Sequence, residues 1–350
     1  MNEEQRKESV LPELPASLLV GHIFPFLDRR TQLNFSILSK ELYAESRHQN
    51  LVWPTGHFLE GLTCSQVLSM EFSPDKSILA LGCSDGNVRL WHSRYSRRRK
   101  LKEGCTSPVL SVAYSPDQSM FASASQDGAI RLFDTRDNYS LYRILGGGDR
   151  TRFQWILFSP DSRILASSSW DEQVRLWRVS DGKCILTLPG QLHGKNSIAF
   201  SPDSKTLATV RVDGNLQFWN ILNGTSRTLF DDHHIHVRNL VFSPNGQQIA
   251  TTAANDNYKV RLWNLSDGVC VKTFQGHSCS IESLVFSSDG NKIASGSCDH
   301  RNSIRVWNVQ DESCTFAARG YTFGVMSLAL SVDGQTLAAN LDQSCCIWNV

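Results

Sequence analysis

The side chains that could do chemistry fall into three groups. Asp231, Asp232, His233, His234 and His236 crowd into six residues. Imidazole and carboxylate together suit zinc, but a tetrahedral site needs a further ligand at a set spacing, and none is evident. Ten cysteines form the second group. No two make a CxxC pair, and the adjacent Cys345 and Cys346 suit neither a disulfide between them nor a zinc site. Cys184, Cys270 and Cys314 each stand seven residues after a tryptophan, at Trp177, Trp263 and Trp307. They are expected to be small buried apolar residues. The third group is cationic. It includes the run Arg94, Arg97, Arg98, Arg99, Lys100 and Lys102 and a scatter of arginines further on. Gly146-Gly147-Gly148 lacks the Lys-Ser/Thr that a phosphate-cradling loop requires. Serines and aspartates abound, but at recurring places that turns explain. No catalytic constellation, metal site or cofactor is expected, and the chain does not read as an enzyme.

Composition narrows the partners. The 350 residues are 41% hydrophobic and 20% charged, with a formal net charge of +1. That balance carries no basic footprint for nucleic acid. Residues 1–10 are charged and hold no apolar signal core. The apolar stretch Ser17 to Leu27 is broken by Gly21, His22 and Pro25 and is too short to span a bilayer. The expected partners are therefore proteins, not nucleic acid or membrane. Free thiols are expected in a reducing compartment, the cytoplasm, the nucleus or both.

One pattern recurs seven times and must position everything else. It reads apolar-x-apolar, Phe-Ser-Pro-Asp, Ile/Leu-Ala, a small polar run, Asp, then Val/Ile-Arg-Leu-Trp. The residue before the first turn is Phe72, Tyr114, Phe158, Phe200, Phe242, Phe286 and Leu330, at spacings of 42 or 44. The closing aromatic is Trp91, Phe133, Trp177, Trp219, Trp263, Trp307 and Trp348. Alternating stretches such as Val109 to Tyr114 read as strands. Ser115-Pro116-Asp117 and its equivalents are turns, and Asp85-Gly86, Asp127-Gly128 and Asp213-Gly214 are hairpins. Four strands per line at this period fit one propeller blade.

These lines resemble WD repeats over residues 56 to 350. The resemblance implies an all-β, seven-bladed WD-repeat β-propeller that acts as a protein-binding scaffold. The family's Gly-His pair is complete at Gly276-His277, and His233 follows Asp232. Gly104, Gly148, Gly190 and Gly320 keep only the glycine. The hairpin aspartate stands in every line, at 85, 127, 171, 213, 256, 299 and 342. In the family it pairs with the histidine, a strand serine and the tryptophan, which implies the set His277, Ser297, Asp299 and Trp307. Only Asn349 and Val350 follow Trp348, so the last line lacks an outer strand. Residues 56–60, Gly-His-Phe-Leu-Glu, occupy that place in the repeat and are expected to close blade 7. An open or six-bladed ring is the alternative.

Residues 11–50 differ in character, after a flexible start over 1–10. Leu14, Leu18, Leu19, Ile23, Phe24, Leu27, Leu33, Leu38 and Leu42 recur at helical spacings, and Pro15 and Pro25 punctuate them. The order Leu14-Pro15, Leu18-Leu19, Ile23-Phe24, Leu27-Asp28, Leu33, Leu38-Ser39-Lys40, with Trp53 after it, resembles an F-box. It carries one residue more than usual between Leu-Pro and Ile-Phe. This small α-helical F-box-like segment implies binding to a Skp-type adaptor of a cullin–RING ubiquitin ligase, through Leu14, Leu18, Leu19, Ile23, Phe24, Leu27 and Leu33. The propeller over residues 51–350 would then receive substrates. The alternative is a scaffold subunit of another complex, with the helices as a docking cap.

The expected ligand face carries the Gly-His loops and the hairpin turns. Arg150, Arg152, Trp170, His193, Lys195, Arg211, His236, Arg238 and Asn255 stand there without a duty in the repeat. Arg211 replaces the serine of other lines, such as Ser125 or Ser169. Arg152 and Arg238 match loop positions at which F-box propellers carry phosphate-binding arginines. That implies a phosphorylated partner, held by paired guanidinium groups. Solvated, unshared charge is the plainer reading. By repeat position the basic run 94–102 is the outer strand of blade 1. It holds Arg98, Lys100 and Lys102 where blade 3 has Cys184, Leu186 and Leu188. A loosened or shifted strand is expected, with the charges blunting an open edge or serving an import signal or acidic partner.

Overall fold

The computed structural model describes residues 57–58, 66–92, 97–101, 107–146, 151–189, 197–211, 215–228, 237–253, 256–299, 303–318, 325, 327–331, 333–341 and 344–350. The chain divides into Met1–Gly56 and His57–Val350. The F-box-like segment falls in the first unit and lies outside the described residues. The second unit is seven four-stranded antiparallel sheets. We call their strands a to d, with a innermost. Six sheets use four consecutive strands, such as Val67–Phe72, Ile78–Cys83, Val88–His92 and Arg97–Lys100 in blade 1. The seventh takes Leu328–Leu330, Thr336–Leu341 and Ser344–Asn349 from the end of the chain and His57–Phe58 from before blade 1. Its register sets His57 opposite Ile347 and Phe58 opposite Cys346. The all-β, seven-bladed ring is thus observed.

Inner strands are apolar on both faces because each blade packs against two others. Ala113, Ile156, Leu165 and Trp177 share one core between blades 2 and 3. Ala250, Leu262, Leu284 and Trp307 share another between blades 5 and 6. Hydroxyls on the a strands link blades directly. Val112 N–H donates to Ser69 Oγ at 3.2 Å, Ile156 N–H to Ser111 Oγ at 3.1 Å, and Leu328 N–H to Ser283 Oγ at 3.1 Å.

The Ser-Pro-Asp turns show why the repeat chose its residues. Ser115 Oγ accepts the Met120 N–H at 2.8 Å, and Asp117 Oδ1 accepts the Ser119 N–H at 3.0 Å. The fourth turn residue must be left-handed. It is glycine at Gly246, Gly290 and Gly334, but Lys76 (φ 61), Gln118 (φ 61), Ser162 (φ 63) and Ser204 (φ 59) adopt the same conformation. Three of those side chains reach the preceding blade. Ser162 Oγ accepts Asp117 N–H at 3.1 Å, Ser204 Oγ accepts Asp161 N–H at 3.0 Å, and Lys76 Nζ meets Asp333 of blade 7 at 2.5 Å.

The basic outer strand of blade 1 is paired, and it is shifted. In blade 3 a bulge beside Trp177 sets Leu188 opposite Val174. Blade 1 has no bulge there; Arg98 lies opposite Trp91, and the Leu101 N–H reaches the Val88 carbonyl. Moving one residue forward lets buried Leu101 fill the place that Lys102 could not. The expectation for the repeated cysteines is corrected. Cys184 and Cys314 are exposed and Cys270 is half-buried, because the d strand has only its inner side covered. Cys346, on a c strand, is buried.

Candidate functional site

The b–c hairpin turns define the candidate face, and the ring claims most of its polar groups. In four blades the arginine two places before the closing aromatic grips the hairpin aspartate. Arg89 Nη2 meets Asp85 at 2.6 Å, Arg131 Nη2 meets Asp127 at 2.8 Å, and Arg175 Nη2 meets Asp171 at 2.5 Å. Arg261 Nη2 meets Asp256 at 2.8 Å. Arg131 and Arg175 also donate to Ser125 and Ser169. The Arg89 hydrogen bond holds the Asp85 carboxyl far below the usual range. Burial alone would raise Asp127 and Asp171, but their arginine and serine donors outweigh it and hold both low. In blades 1, 2 and 3 the pair holds the hairpin aspartate of a line that lacks the histidine.

Blade 6 keeps the histidine, and the structure corrects its partner. His277 Nε2 lies 2.7 Å from Ser295 Oγ, which also accepts the Trp307 indole N–H at 3.0 Å. Ser297 instead donates to the Cys279 carbonyl at 3.0 Å. Ile293 lies opposite Trp307, and Ser295, two residues on, shares its face of the strand. Trp177, Trp219 and Trp263 likewise donate to Ser167, Thr209 and Thr251. A serine and a histidine at 2.7 Å are what a nucleophile needs. Ser295, however, is fully buried and no substrate reaches it. Burial, then the Arg305 charge, lowers His277 to about 4, so it serves as a neutral fastener.

Four of the expected ligand-face residues, Arg152, Trp170, Arg211 and Arg238, are described. Trp170 is 63% exposed in the blade 3 hairpin turn, and its N–H bonds to the carbonyl of exposed Arg152 at 2.9 Å. Arg211, also exposed, follows the b strand Thr206–Val210 of the next blade. Arg238 is engaged elsewhere. Its Nη1 donates to Ser280 and, at 3.0 Å, to Glu282 of blade 6. Arg150, Lys195 and His236 lie outside the described residues, with His193 and Asn255. So do the adaptor-binding candidates Leu14, Leu18, Leu19, Ile23, Phe24, Leu27 and Leu33. Sequence reasoning missed Glu282. The signal was present, since Arg238 and Glu282 hold the same repeat position in adjacent lines with opposite charge. It also missed Glu71, which stands where other lines have Ala113, Leu157 or Val241. Burial pushes its carboxyl up to about 8 against the Tyr114 N–H bond at 2.8 Å.

Among the described residues, no helix is long and apolar enough to cross a membrane. A closed ring of seven blades, fastened at one face and presenting an aromatic and arginines there, defines a protein-binding propeller. The family model for the WD domain, G-beta repeat, matches residues 53–92, 97–134, 152–178, 182–220, 224–264, 268–308 and 312–349. The chain belongs to that family, whose propellers generally bind proteins. No curated protein sequence matches it.

Proposed function

We propose that the chain is an F-box-like substrate receptor of a cullin–RING ubiquitin ligase. Residues 11–50 would take a Skp-type adaptor and the hairpin face a substrate protein. Trp170 carries the propeller half of this reading. Tryptophan and arginine dominate binding energy at interfaces, and here the two stand joined through a backbone hydrogen bond, exposed, with Arg211 on the next blade. The anionic site narrows to Arg152 and Arg211, because Arg238 already serves Glu282. The adaptor half rests on the motif from Leu14 to Trp53. A pull-down with a Skp-type adaptor tests it: the full chain retains the adaptor, and Ile23→Ala with Phe24→Ala releases it while the propeller stays folded. Loss of folding in that variant would favour the docking cap.

A second reading, a scaffold subunit of another complex, is favoured by one observation. Glu282 puts a carboxylate beside Arg238, which opposes phosphate on that side. A phosphopeptide library with no preference over its unphosphorylated counterpart would support this reading.

A further inference from the structure

Beside the Arg238–Glu282 pair lies a group of side chains that the ring does not use. Cys279 leads into the a strand Ile281–Phe286 of blade 6, and Cys298 follows its b strand Lys292–Ser297. Ile281 lies opposite Ser297, so the two chains continue side by side beyond the ladder. The Cys298 N–H bonds to the Ser280 carbonyl at 3.0 Å, and Ser297 Oγ donates to the Cys279 carbonyl at 3.0 Å. Cys279 stands near enough to help raise the Cys298 thiol, and both are partly exposed. Cys298 Sγ lies 3.9 Å from Glu282 Oε1. Cys184 and Cys314, the exposed thiols of the described residues, stand on the outer strands of different blades.

We infer that Cys279 and Cys298 form a modification site, a thiol pair that hydrogen peroxide converts into an intrachain disulfide. Cys279 sulfur attacks one peroxide oxygen, the O–O bond breaks, and the other oxygen leaves as water with the thiol proton. Cys279 is then a sulfenic acid. Cys298 sulfur attacks that sulfur, and the S–O bond breaks as the S–S bond forms. The departing hydroxide becomes water with the Cys298 proton, which passes through Glu282. Two thiols lose two electrons together, and one peroxide gains them.

The surroundings divide these roles. Burial, then the Glu282 carboxylate, pushes the Cys298 thiol up to about 11. Cys298 therefore stays protonated while Cys279 meets the oxidant, and it reacts once a sulfenic acid stands next to it with Glu282 ready to accept its proton. The bond would tie the segment entering blade 6 to its hairpin turn.

Treating the full chain with one equivalent of hydrogen peroxide, alkylating, and mapping peptides by mass tests the assignment. The expected product links the peptides of Cys279 and Cys298 while Cys184 and Cys314 remain alkylated. Cys298→Ser, shown to be folded by its melting curve, stops at a Cys279 sulfenic acid that a cyclic 1,3-diketone traps. Glu282→Gln slows the cross-link several-fold and leaves diketone trapping in the Cys298→Ser background unchanged. Alkylation of Cys279 and Cys298 as complete as that of Cys184 after peroxide would overturn the proposal. So would a Cys298→Ser chain that traps no diketone.

Discussion

Replacing Glu71 with Gln should make the ring more stable, and increasingly so as pH rises. Glu71 is half-buried among inner strands, and burial lifts its carboxyl from 4.5 to about 8. The folded chain therefore holds a proton that the unfolded chain releases. A carboxyl raised on folding contributes stability that is intact below the unfolded value and is lost as pH climbs through the window from 4.5 to about 8. Each unit corresponds to about 1.4 kcal/mol, which sets a ceiling near ~5 kcal/mol for the loss. Water reaching the exposed part of the side chain trims this. Gln keeps a carbonyl oxygen for the Tyr114 N–H and has no proton to lose. Denaturant melts of both chains at about pH 5 and about pH 9 should show a small difference at the acid end and a gain of at least ~1–2 kcal/mol for Glu71→Gln at the alkaline end. Parallel pH profiles for the two chains would refute the reasoning.

Ring closure can be tested by truncation. Removing residues 1–62 deletes the strand paired to Ser344–Asn349 and costs about 2 kcal/mol in ladder bonds, besides exposing an edge. Equal melting temperatures for chains lacking 1–50 and 1–62 would refute closure by that strand. Gln118→Gly should raise stability by about 1 kcal/mol, since its left-handed backbone suits glycine. Ser204→Gly should gain less, because it gives up the bond to the Asp161 N–H; thermal melts compare them. Ser295→Ala should cost about 1–3 kcal/mol by stranding the Trp307 indole and His277, and an unchanged unfolding midpoint would contradict the corrected set of fasteners. Trp170→Ala should weaken capture of a bound partner by about 2 kcal/mol, or thirtyfold, without moving the melting temperature.

The ring was legible in the sequence because its signals are local and repeated. A turn serine, its aspartate and an alternating strand lie within a dozen residues, and seven copies in phase leave little freedom. The closing segment was legible by counting back from Phe72. Side-chain partners were less so. Ser295 and Ser297 sit two apart in the same polar run, and only the register against Trp307 says which one the indole meets. The shifted outer strand of blade 1 was legible only as a misfit, since the fit of Leu101 depends on a missing bulge. Arg238 looked available because its competitor, Glu282, is one whole repeat away.

The ring and the face make opposing demands on the same positions, and this decides where a ligand can bind. A hairpin aspartate held by the arginine two places before the aromatic uses up both charges, as in blades 1, 2, 3 and 5. Blade 4 departs from that arrangement. It has Gln217 in place of the arginine, and this side chain bonds to Ser226 on the outer strand instead. Blade 4 also carries Arg211 where other blades have the serine that such an arginine grips. The neighbouring blade 3 departs at its innermost strand, where Trp155 stands in place of the linking serines Ser69, Ser111 and Ser283. Departures from a repeat weaken the ring locally, so they persist only if something else uses them. Both fall in adjacent blades, beside Arg152 and Trp170. The junction of blades 3 and 4 is therefore where exchange of backbone hydrogens should slow most when a partner binds. Equal protection spread over all seven blades would separate the binding face from these departures.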